Sequence, residues 1–115
     1  MTSTHVTVSH GSDFFGVDTI PVRDLRHLGE HVRGVLSPVD YPPLTRLLDT
    51  AGDSEQTLDA DQATLLAALC SRAAAHRRLR KPYRGLAALL GVAAANAAAD
   101  GEPWTWTPIT EGAGR

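Results

Sequence analysis

The chain has 115 residues and a net charge of -2, with eleven basic and thirteen acidic side chains and a single cysteine. That length suits one domain with one hydrophobic core, and the near balance of charge excludes a whole-protein attraction to nucleic acid or acidic membranes. One cysteine excludes an internal disulfide and argues against a cysteine-based zinc site, which fits a reducing cytoplasm.

The N-terminal segment lacks a basic stretch followed by an apolar run, so it does not read as a secretory signal. Residues 4–9 (THVTVS) place Val6 and Val8 on one side and His5, Thr7 and Ser9 on the other, the pattern of a short half-buried strand. Residues 10–19 (HGSDFFGVDT) read as a structured loop, rich in glycine and aspartate and carrying Phe14 and Phe15. His10, Asp13, Phe14, Phe15 and Asp18 make this loop a candidate site, because imidazole and carboxylate groups in a loop after a strand are the raw material of one. The two phenylalanines either anchor the loop in the core, the favoured reading, or present a sticky surface. The sequence has neither a nucleophile elbow nor a phosphate-binding glycine motif, so no catalytic residue is expected and the small-molecule or enzyme reading stays the alternative.

Pro21 suits the first turn of a helix reaching about Leu36, with Val22, Leu25, Leu28, Gly29, Val32, Val35 and Leu36 on one side. On the other side Asp24, His27 and His31 fall close together, yet the strong zinc motifs are absent and no metal is expected. A shorter helix follows Tyr41, with Leu44, Leu47 and Leu48 inward, and residues 55–58 allow a brief extended segment. Asp59 and Gln62 spell a capping box that opens a third helix, whose inward stripe of Gln62, Leu66, Leu69, Cys70, Ala73 and Arg77 continues until Pro82 stops it.

The fourth helix is the centre of the chain: no charge occurs between Arg84 and Asp100. Leu86, Leu89, Leu90, Ala93, Ala94 and Ala97 give it an apolar face and small residues the rest, so it should be covered on more than one side and lie close against the third helix. Gly101 ends it, and Trp104 and Trp106 then share one face of a short last strand that returns beside the first. The expected fold is α+β, about four helices on a two- or three-stranded sheet in the order β-α-α-(β)-α-α-β, with a domain over residues 1–107 and a loose tail over residues 108–115.

The clearest charge asymmetry is the run of Arg72, Arg77, Arg78, Arg80, Lys81 and Arg84. Arg78, Arg80, Lys81 and Arg84 are the candidate binding surface, with Arg77 left out because it falls on the inward stripe. Two readings compete: the cations complement the C-terminal dipole of the third helix, or they meet an anionic partner, a protein first and a nucleic acid second. The acidic stretch over residues 40–61 would serve solubility or self-association through opposite charges.

The segments SHGSDFFGVD and AAADGEPWTW, with the Ala/Arg-rich middle, resemble small proteins of unknown function from high-GC Gram-positive bacteria. That resemblance carries no reaction, cofactor or catalytic residue. The whole reads as a cytoplasmic accessory or regulatory domain acting by macromolecular binding, without a cofactor and away from the membrane.

Overall fold

A computed structural model describes residues 3–10 and 18–111. Four strands and four helices run in the order β1 (Ser3–His10), β2 (Asp18–Pro21), α1 (Val22–Arg33), α2 (Pro42–Asp49), β3 (Gln56–Leu58), α3 (Ala60–Ala74), α4 (Lys81–Asp100) and β4 (Trp104–Glu111). The α+β expectation holds, with a larger sheet: four antiparallel strands in the order β2-β1-β4-β3.

The additional strand is β2, where the sequence reads as loop. Its recognisable strand residues are Thr19 and Ile20, between an aspartate and a proline. Ile20 is buried opposite Val6, and Pro21 is tolerated because β2 is an edge strand. The last strand is also longer, running to Glu111 past the point where a loose tail was expected. Pro108 can sit in it because β3 pairs only with Trp104–Trp106, leaving the following residues on an open edge.

The inward sheet face carries Val6, Val8, Ile20, Trp104 and Trp106. Val8 lies opposite Trp106, and the two indoles meet edge to face at 5.4 Å, the favoured geometry of an aromatic pair. Against this face pack α1 and α4. On α1 the buried positions are Val22, Leu25, Leu28, Gly29 and Val32, and the close fit of α2 uses Gly29, where an added Cβ would lie 3.3 Å from that of Leu48.

α3 begins with the capping box in full: Gln62 N donates to Asp59 Oδ1 at 2.8 Å, and Asp59 N donates to Gln62 Oε1 at 3.0 Å. It packs along α4 at Gly91, where an added Cβ would lie 3.3 Å from that of Cys70. Cys70 is fully buried, and burial pushes its thiol up to about 12, so it is packing rather than chemistry. Gly101, at φ 67°, closes α4 with backbone bonds to Ala97 and Ala98.

Two expectations about the helical faces need correction. α4 meets α3 as well as α1 and the sheet, but Leu89, expected on its apolar face, lies on an exposed strip with Val92, Ala88, Ala95 and Ala99, while Ala87, Leu90, Gly91, Ala93, Ala94 and Ala97 are buried. α3 does not continue to Pro82 but ends at Ala74, and Arg77 is exposed. Continuing the helix would turn Arg77 toward the core, where an unpaired guanidinium costs several kcal/mol. Instead the chain turns, and Leu79, at 1% exposure, enters the core from the middle of the basic run.

Candidate functional site

The early end of α3 changes the electrostatics of the basic run. The last turn of α3 contains only Arg72, whose guanidinium pairs with Asp40 at 3.1 Å. Arg77 and Arg78 lie beyond the helix, and Arg80, Lys81 and Arg84 belong to the first turn and a half of α4. Complementing the α3 dipole therefore does not explain them. They sit instead at a helix N-terminus, where the dipole is positive and cations are unfavourable.

Nothing in the local sequence relieves this. Arg80 is the N-cap of α4, its side chain makes no capping bond, and the first turn has no acidic residue. Compare α3, where Asp59 caps and Asp61 follows. Pro82 in the first turn has no N–H to leave unpaired, and Arg84 N donates to Arg80 O at 2.9 Å. The Arg84 Nε is buried with no acceptor among the described residues.

The turn that presents these charges is held in place. His76 N donates to Ala73 O and Leu79 N to His76 O, each at 3.1 Å, and Arg78 N donates to the His76 ring at 3.2 Å. With Leu79 seated in the core, Arg77, Arg78, Arg80 and Lys81 project as exposed residues from a fixed corner.

Elsewhere on the described surface three arginines are matched, while Arg23 and Arg46 stand singly without an ion pair. Arg26 pairs with Asp53 at 3.1 Å, Arg33 with Asp49 and Arg72 with Asp40. Within the acidic stretch, Glu55 accepts from Thr107 and Asp59 caps α3, so most of these carboxylates are engaged inside the fold. By contrast, Arg77, Arg78, Arg80, Lys81 and Arg84 form no ion pair among the described residues.

Beside the corner, α1 and the start of α4 enclose a groove of about 410 Å³ lined by Asp24, Arg80, Pro82, Tyr83 and Leu86. Tyr83 stacks on His31 with ring centroids 4.3 Å apart, and His31 Nδ1 donates to His27 O at 2.8 Å. The Asp24, His27 and His31 face is thus partly used to pack α4. Among the described residues no group of three or more His, Cys, Asp or Glu could hold a metal. A second groove, of about 300 Å³, lies between α2, β3 and α3, with Leu47, Leu58 and the half-exposed Leu65 in its wall and Arg46 and Gln62 at its polar positions.

Of the other candidate site, Asp13, Phe14 and Phe15 lie outside the described residues. His10 ends β1 opposite Trp104, and Asp18 begins β2 opposite Val8, so the two backbones come to the same end of the β1–β2 hairpin.

Of the basic residues named from sequence, the structure gathers all four in one corner and adds Arg77. The sequence signal for Arg77 and Leu79 was present but ambiguous: a cationic run with a single leucine has one residue that can enter the core, and extending the helix selects the wrong one. Asp24 and Leu86 join the site only through the packing of α1 on α4.

No helix among the described residues is long and apolar enough to cross a membrane. No curated protein and no solved structure matches the chain. A family model, the domain of unknown function DUF7739, matches residues 11–107 and so covers most of its length. The chain belongs to the DUF7739 family.

Proposed function

We propose that this domain is non-catalytic and acts as an accessory or regulatory module, binding an anionic macromolecule through the corner formed by Arg77, Arg78, Arg80, Lys81 and Arg84. The observation that carries this reading is the concentration of unpaired cations in one corner, while elsewhere only the isolated Arg23 and Arg46 lack an ion pair among the described residues. Arg26, Arg33 and Arg72 each meet a carboxylate within the fold, whereas the five cations at the α4 N-terminus meet none among the described residues. Cations held at the positive end of a helix dipole, on a turn fixed by Leu79, supply a positive potential ready for an incoming anion. The single buried cysteine supports a reducing, cytoplasmic setting.

The test replaces Arg78, Arg80, Lys81 and Arg84 together with Gln, checks that the fold is unchanged, and measures binding to acidic proteins, DNA and RNA over a salt series. The reading expects wild-type binding to an anionic macromolecule that weakens steeply with salt and is lost in the variant. Equal binding by both proteins, or no binding by the wild type to any of these probes, refutes it.

A further inference from the structure

The groove beside the corner narrows the choice of partner, on the basis of the binding reading above. Arg80 belongs both to the corner and to the groove wall, so the two form one continuous surface. At about 410 Å³ the groove lies toward the small end of ligand pockets and suits one large side chain. Three of the five lining residues bring apolar surface to the wall: Pro82 is exposed and Tyr83 and Leu86 are half-buried against the core. The exception on the α1 side is Asp24, partly buried, with no hydrogen-bond or ion-pair partner among the described residues.

We infer that groove and corner together take an acidic protein segment carrying a Trp or Tyr among its carboxylates. The aromatic ring covers Pro82, Tyr83 and Leu86, and its indole N–H or phenol O–H donates to the Asp24 carboxylate, a charge-assisted bond. Flanking carboxylates meet Arg80, Lys81 and Arg84, where arginine can bind them bidentately. A nucleic acid suits this surface less well. Its backbone carries a charge at every nucleotide and would bring one near Asp24, whereas a peptide can present an uncharged residue there and its charges beyond. One face of Tyr83 is also occupied by His31, which limits it as a stacking platform for bases.

The experiment uses the full chain and a set of fluorescein-labelled peptides of mixed glutamate and serine, each with a single Trp, Tyr, Phe or Ser placed at successive positions. Single-stranded and duplex oligonucleotides serve as further probes, and binding is read by anisotropy at low and high salt. Trp and Tyr peptides are expected to bind at least about tenfold tighter than the Ser peptides. Asp24→Asn should narrow the preference of Trp and Tyr over Phe, and Leu86→Ser should weaken every aromatic peptide while sparing the Ser peptides. Equal affinity for Trp and Ser peptides overturns the groove inference and leaves the corner intact, as does binding of oligonucleotides alone. Failure of every anionic probe overturns both.

Discussion

If the N-terminus of α4 is kept positive for binding, correcting it should make the protein more stable and less functional. Arg80 occupies the N-cap in an extended conformation, φ -62° and ψ 147°, which an aspartate can adopt without strain. In Arg80→Asp the new carboxylate can accept the N–H of Tyr83, since Pro82 has none to offer. Such a cap contributes about 1 kcal/mol, and exchanging a cation for an anion at this end of the dipole adds about 0.5 kcal/mol. The sum, about 1.5 kcal/mol, corresponds to a rise in melting temperature of about 6 °C for a domain of this size. Arg80→Asn keeps the cap without the charge and should recover about two thirds of that gain. Thermal and urea unfolding followed by circular dichroism measures both variants, with binding to an oligoglutamate probe measured alongside. The expected pattern is higher stability with lost affinity for Arg80→Asp. An Arg80→Asp protein that melts at or below the wild-type temperature would refute the argument that this helix end is electrostatically unfavourable.

Three further expectations concern the fold. Trp104→Ala and Trp106→Ala each remove an indole that is 1% exposed and should cost about 3–5 kcal/mol in urea unfolding, so a wild-type midpoint for either contradicts the packing described. The two α4 glycines should respond in opposite directions in thermal melts: Gly91→Leu forces apart α3 and α4 at the Cys70 contact and loses about 1–3 kcal/mol, whereas Gly85→Ala, with nothing within 4 Å, gains about 0.5–1 kcal/mol. Asp40 is held below the usual carboxylate range, first by the Ser37 hydroxyl at 2.9 Å and then by Arg72 at 3.1 Å. Because its folded pKa is the lower one, the stabilisation is complete above the ordinary aspartate range and is lost as pH falls through the depressed value. A carboxyl NMR titration should show Ser37→Ala raising the Asp40 midpoint more than Arg72→Gln does, and the reverse order would contradict the assignment.

What the sequence makes legible here is mostly local. The α1 stripe from Val22 to Val32, the Asp59–Gln62 capping box, Gly101 and the alternation of Trp104 and Trp106 are each written within a few neighbouring residues, and each forms as read. β2 is not legible because its strand character comes from pairing with β1 more than from its own four residues. The end of α3 is missed for a different reason: periodicity alone carries the helix on to Arg77, and only the cost of burying that guanidinium, together with Leu79 as its replacement, stops it at Ala74. The basic residues of the corner can be listed from the sequence, but their meaning depends on that boundary, since the same cations are favourable at the end of α3 and unfavourable at the start of α4. Which arginines remain unpaired is a tertiary fact, decided by Asp53, Asp49 and Asp40 arriving from distant positions. The groove is tertiary as well, because Asp24 and Leu86 meet only when α1 packs on α4.

The central claim, that the corner at the start of α4 is the binding surface, is tested most directly by mapping amide chemical shifts while an oligoglutamate peptide is titrated into the full chain. The account predicts that the largest shifts cluster at Arg77, Arg78, Arg80, Lys81, Tyr83 and Arg84, and that they collapse when the salt concentration is raised. Largest shifts around Arg46 in the groove between α2, β3 and α3, or shifts spread evenly over the surface, would contradict it.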